Sequence, residues 1–182
     1  MDAPEYYPCR VLLDGERRFV AWYTADLDGF LRDSDGRLVV TGTVGALGVS
    51  LTVGEPVEYD FDCIRAWCAA PDPAGVDCRA FLDAWNFLDD LTGLHAGADT
   101  PHTRLSRAAV GVYEKLFWGN NLPAFTPPGE RFEPSWSPEE LAAVRGVFES
   151  GLGVLAAELA GSAPDAEPGA APDPGPKAGR GR

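Results

Sequence analysis

The hydrophobic periodicity of the chain changes near Tyr59, and this change most constrains the fold. Before it, short runs rich in Val, Leu, Tyr and Trp are separated by turn signals that contain glycine, a pattern typical of strands. After it, apolar residues recur about every 3.6 positions, which predicts amphipathic helices. Strands followed by helices predict an α+β fold, in which an N-terminal antiparallel sheet of three or four strands packs against about four C-terminal helices.

The clearest strand signal is the segment 9–24, CRVLLDGERRFVAWYT. Its Asp14-Gly15 pair tolerates the positive φ angles of a tight turn, so the segment predicts a hairpin. We expect a second strand pair in RLVVTGTV (37–44) and GVSLTVG (48–54), around a glycine-rich centre.

Helix start signals divide the second part of the chain into four helices. Asp60 or Asp62 begins a short helix, Asp77 begins a longer one, a third covers residues 100–119, and Ser137 begins the last with a capping box. Helical spacing predicts the buried stripes of the three long helices: Phe81, Leu82, Trp85, Leu88 and Leu91; then Leu105, Ala109, Val112 and Leu116; then Leu141, Val144, Phe148, Leu152, Leu155 and Leu159.

The 182 residues predict one acidic domain over residues 1–160 and a disordered tail over residues 161–182, which are rich in Pro, Gly and Ala. The net charge is −13, and the three acidic residues of the tail are balanced by Lys177, Arg180 and Arg182. The predicted domain therefore carries all of the net charge.

So acidic a body repels phosphate backbones and attracts basic partners. We therefore expect a basic protein partner, without direct nucleic-acid binding. No apolar run approaches the roughly 20 residues needed to span a bilayer, and the opening residues MDAPEYYPCRVLL show no secretory signal. These patterns predict a cytoplasmic protein without a membrane segment.

The spacing of the potential metal ligands argues against a metal centre. Cys63 and Cys68 are five residues apart, so on one helix they point in directions about 140° apart and cannot both contact one ion. Neither His95 nor His102 stands beside a recognisable nucleophile. We expect no metal, no cofactor and no catalytic residue.

Three groups of residues are candidates for contact with a partner. The first two are acidic and the third begins the aromatic and proline-rich connection 119–136, which either pins onto the helices or recognises a partner. The groups are Glu55, Glu58, Asp60 and Asp62; Asp83, Asn86, Asp89 and Asp90; and Trp118, Asn120 and Asn121.

The sequence favours an acidic, cytosolic protein-binding module, such as an immunity protein or antitoxin that sequesters a basic toxin. One alternative is an enzyme of unrecognised type that uses His95 or His102 with carboxylates. Another is a nucleic-acid mimic that inhibits a DNA-binding protein.

Overall fold

The computed structural model describes residues 4–162, which form a four-stranded sheet with five helices packed against it. The α+β class predicted from the sequence is confirmed. The strands are β1 (Glu5–Leu13), β2 (Glu16–Thr24), β3 (Gly29–Phe30) and β4 (Val57–Asp60). The helices are α1 (Phe61–Ala69), α2 (Cys78–Thr92), α3 (Pro101–Ala108), α4 (Val110–Gly119) and α5 (Pro138–Gly161).

The sheet has the strand order β3-β2-β1-β4. The predicted hairpin of β1 and β2 is confirmed, and its turn uses positive φ angles of 56° at Asp14 and 72° at Gly15. Strand β4 pairs with β1 in parallel, from Cys9 opposite Val57 to Leu12 opposite Asp60. The sheet is therefore mixed and not wholly antiparallel as expected, because residues 31–56 return the chain to the end of the sheet at which β1 begins.

The expected second strand pair within residues 37–54 is wrong. This segment makes isolated bridges to other parts of the chain, from Thr41 to Phe19 and from Leu51 to Tyr6, and contains a single 3₁₀ turn, Val44–Leu47. Leu47 is buried beside β2. The apolar residues of this segment therefore cover the sheet and do not pair with one another.

The predicted starts of three helices are confirmed. Asp60 caps α1, Asp77 caps α2, and Ser137 forms a capping box with Glu140 at α5. Each side chain accepts hydrogen bonds from backbone N–H groups that would otherwise lack a partner.

The single helix expected over residues 100–119 is two helices, because the chain bends at Ala109 (φ −99°, ψ 20°). Leu105, expected in the core, is 43% exposed. The residues of α3 that face the core are instead His102, Thr103 and Ser106.

Helix α5 ends at Gly161, and Ser162 Oγ donates a hydrogen bond of 2.7 Å to the Leu38 carbonyl. Residues 163–182 of the predicted disordered tail lie outside the described residues. Within residues 4–162, no helix combines the length and the apolarity required to cross a bilayer.

Helix α5 approaches α2 and α3 closely at Gly151. A Cβ atom at this position would lie 2.6 Å from Leu88 Cδ1 and 3.0 Å from His102 Cε1. We predict that Gly151→Ala lowers the free energy of unfolding by about 1–3 kcal/mol, because the buried neighbours must move.

Gly153, on the same helix, is the matched control, since nothing lies within 4 Å of its added Cβ. Gly153→Ala should raise the free energy of unfolding by about 0.5–1 kcal/mol through helix propensity. Denaturant unfolding measures both variants, and equal effects would contradict the close approach at residue 151.

Candidate protein-interaction face

Helix α2 buries most of its surface and exposes one narrow acidic face. Asp83, Asn86 and Asp90 are spaced by three and four residues, which places them on the same side of a helix. We call these three residues the α2 face. They belong to the group predicted to contact a partner, and the structure brings them together.

Asp90 is the more buried carboxylate of the α2 face. Its Oδ2 accepts a hydrogen bond of 2.8 Å from the Trp22 indole, and its Oδ1 lies 3.8 Å from His95 Nε2. Burial raises the pKa of Asp90, and the charges of Asp28 and Asp89 raise it further. The Trp22 hydrogen bond and His95 oppose this shift only in part.

Asp83 lies near the start of α2, and its Oδ2 is 3.9 Å from Arg79 Nε. Burial raises the pKa of Asp83 in spite of Arg79. Tyr59 lies close enough to both carboxylates of the α2 face for Asp83 and Asp90 to raise its pKa, after a larger contribution from burial.

A third aromatic residue borders the α2 face at its centre. The Tyr113 hydroxyl on α4 donates a hydrogen bond of 2.9 Å to Asn86 Oδ1. The α2 face therefore consists of two partly desolvated carboxylates and one amide, bordered by Trp22, Tyr59 and Tyr113.

None of these three rings belongs to the groups predicted from the sequence to contact a partner. Alternation along β2 places Trp22 on the same side of the sheet as Val20, which faces the core. The side of the sheet on which Trp22 lies could therefore be predicted from the sequence. The position of Tyr113 requires α4 to pack beside α2, and no local pattern reports that packing.

Asp89 does not belong to the α2 face, which corrects the prediction that it faces a partner. The residue is 4% exposed. Its Oδ1 lies 2.9 Å from His102 Nε2, and its Oδ2 accepts a hydrogen bond of 2.9 Å from Ser106 Oγ, which in turn accepts one of 2.8 Å from the Trp85 indole. These contacts join α2 to α3 inside the core.

The two histidines differ in access to solvent. His102 is fully buried, and its Nδ1 has no hydrogen-bond partner among residues 4–162. The His95 side chain is 59% exposed beside Asp90.

The group between residues 55 and 62 has largely structural contacts. Glu58 pairs with Arg10 on β1, and Asp60 caps α1. Asp62 accepts hydrogen bonds of 2.8 Å from the backbone N–H groups of both residues of the hairpin turn. Glu55 is exposed.

Of the three residues predicted to contact a partner at the start of the 119–136 connection, one has structural hydrogen bonds, one is half-buried and one is exposed. Asn121, with φ of 51°, donates to the carbonyls of Gly119 and Phe132 and accepts from the Phe132 N–H. Asn120 is half-buried at the end of α4. Trp118 is 48% exposed, so its predicted role in recognition is sterically open.

The four cysteines are free thiols. Within the described part of the chain, no three Cys, His, Asp or Glu side chains are placed to hold a metal ion. Burial raises the pKa of the Cys68 thiol to about 11, which leaves it protonated and a weak nucleophile at neutral pH.

The comparisons with protein-family models, curated proteins and solved structures find no match to this chain.

We predict different effects for two aspartates of α2. Asp89→Asn should lower the free energy of unfolding by about 1–3 kcal/mol, because the amide leaves one buried donor without an acceptor. Asp83→Asn, at a half-exposed position, should change it by less than about 0.5 kcal/mol. Denaturant midpoints of the two variants test this, and a neutral Asp89→Asn would contradict the buried network.

Proposed function

We propose that the protein is an acidic protein-binding module that sequesters a basic partner, as an immunity protein or antitoxin does, with the α2 face at the centre of the contact. The observation that carries the proposal is a shortage of cations beside two partly desolvated carboxylates. Within residues 4–162, the one permanently charged cation in ion-pair range is Arg79, 3.9 Å from Asp83; the His95 imidazole lies 3.8 Å from Asp90.

The chemistry of the α2 face fits the side chains of Arg and Lys. A carboxylate that has already lost part of its water forms strong charge-assisted hydrogen bonds with a guanidinium or ammonium group. Aromatic rings beside it attract the same cations through their faces. Trp22 and Tyr113 border the carboxylates and supply such rings, whereas Tyr59 packs against Phe61 and Phe87.

The net charge of −13 supports fast association with a basic partner, since complementary fields steer the encounter. A helix packed on its other sides holds the recognising groups in fixed positions, which reduces the entropy lost on binding.

The charge of the α2 face should control the rate of association. We predict that the double variant Asp83→Lys and Asp90→Lys lowers the association rate with the basic partner by at least about tenfold at low salt, and flattens its salt dependence. The first measurement is the growth of cells that co-express the protein with the product of the neighbouring gene, and growth in spite of that product is scored as rescue. Stopped-flow kinetics with that product then measure the rate.

The matched control is Glu130→Lys with Glu133→Lys, which changes the net charge equally at two exposed positions of the 119–136 connection. This variant should retain rescue. If it loses rescue and the α2 variant keeps it, the contact lies on the connection and the α2 face is excluded.

An enzymatic function is the second candidate, because His95 is exposed beside Asp90. His95→Ala should leave rescue intact if the protein acts by sequestration. Loss of rescue in a folded His95→Ala protein would favour catalysis, since one general acid or base commonly contributes about 100-fold to 10,000-fold.

Partner binding should weaken as the pH falls through the range in which Asp83 and Asp90 titrate. Only the ionised carboxylates attract a cation, and burial raises the pKa of both groups above the ordinary 3.8. Their charge is present above the raised pKa and is lost below it, so the loss begins at a higher pH than for exposed aspartates. Dissociation constants measured against pH should therefore converge for the wild type and the Asp83→Asn, Asp90→Asn variant as the pH falls; a constant ratio would contradict this.

A further inference from the structure

Strand β4 forms one edge of the sheet, since the strand order ends there. Its neighbour on the inner side is β1, and no strand of the described chain pairs with its outer side. The strand is also accessible: Val57 is 46% exposed, and the Glu58 side chain is 64% exposed.

The pairing of β1 shows which backbone groups of β4 point outward. The Thr52 N–H donates to the Tyr6 carbonyl on the side of β1 that β4 occupies. Because backbone groups alternate sides along a strand and the register of β1 with β2 has no bulge, Arg10 also directs its N–H and C=O towards β4. In a parallel ladder Arg10 then bonds to the residues on either side of Glu58, its register partner. The N–H and C=O of Glu58 therefore lie on the outer edge.

A groove of about 610 Å³ runs beside this edge, between β4, α1 and α2. Its apolar lining includes Ile64, Trp67 and Phe81, and its acidic lining includes Asp60 and Asp83. The groove thus reaches the α2 face at Asp83.

Three arginines also line the groove, and Arg17 among them has no ion-pair partner within residues 4–162. Arg10 pairs with Glu58, and Arg79 lies 3.9 Å from Asp83. Residues 51–62, which lead into β4 and form it, contain no Lys or Arg; their charged residues are Glu55, Glu58, Asp60 and Asp62.

We infer that the basic partner inserts an extended segment that adds to the outer edge of β4 as a further strand. This inference rests on the proposed function and names its mode of recognition. The outward N–H and C=O of Glu58 supply backbone hydrogen bonds, the apolar lining takes alternate side chains, and the carboxylates face Lys or Arg. A second copy of the chain is a poor occupant, because two β4 edges in antiparallel pairing would bring Glu58 and Asp60 opposite like charges.

The experiment uses the full chain and a defined probe, the peptide acetyl-KVKVKV-amide. Two control peptides are acetyl-EVEVEV-amide, with reversed charge, and a KVKVKV peptide with alternate backbone nitrogens methylated. Amide hydrogen exchange followed by NMR reports the Glu58 N–H directly. We expect KVKVKV at saturation to slow exchange of this amide by at least about tenfold, and neither control peptide to do so.

Two variants at one position separate the backbone from the side chain. Glu58→Ala removes the carboxylate and keeps the N–H, whereas Glu58→Pro removes both, and proline is tolerated on an edge strand whose N–H faces solvent. Glu58→Pro should bind KVKVKV about threefold to tenfold more weakly than Glu58→Ala, the value of one hydrogen bond. If Glu58→Pro fails to fold, the exchange of the wild-type amide decides the question.

Absence of KVKVKV binding, or binding that leaves the Glu58 amide unprotected, overturns the inference. Equal growth rescue by Glu58→Pro and Glu58→Ala also overturns it, and leaves the proposed function standing if reversal of Asp83 and Asp90 still abolishes rescue. Full rescue by the α2 reversal overturns the proposed function itself.

Discussion

The rest of the structure depends on the packing of α2 between the sheet and α5. On the sheet side, the Phe87 ring lies 4.6 Å from Phe30 and 5.2 Å from Phe61 between centroids. On the other side, Trp85 lies 5.9 Å from Phe148 of α5. Because α2 is fixed from two directions, its exposed strip holds a constant position relative to β2 and α4, which supply the rings beside it.

The buried polar network at Asp89 determines how α3 meets α2. Leaving a buried carboxylate without partners would be strongly unfavourable, and His102 and Ser106 satisfy it only if the polar side of α3 turns inward. The bend at Ala109 permits this orientation, and it leaves Leu105 43% exposed. One buried carboxylate therefore accounts for both errors in the expected third helix.

The sequence predicted correctly those features of the fold that depend on residues close together in the chain. The Asp14-Gly15 turn and the caps at Asp77 and Ser137 depend on neighbouring residues, and their positions could be read from the sequence. The burial of Asp89 could not, because an aspartate next to Asp90 on a helix carries no local sign that a distant histidine will contact it. The prediction of a strand pair within residues 37–54 was wrong for a related reason. Alternation of apolar and polar residues indicates an extended chain, but it does not show which segment that chain pairs with.

The individual carboxylates that make up the net charge differ in how much of their hydrogen-bonding capacity is used within the protein. Asp60, Asp62 and Asp77 bind backbone N–H groups of the protein itself, and Asp89 lies in the core. Such groups contribute to the long-range field around the protein, but part of their hydrogen-bonding capacity is already used within it. Asp83 and Asp90 differ, because they are partly desolvated and short of cations. On the proposed function, a model in which total charge determines affinity for the partner would therefore overstate the contribution of most acidic residues, because the short-range attraction would be concentrated at Asp83 and Asp90 of the α2 face.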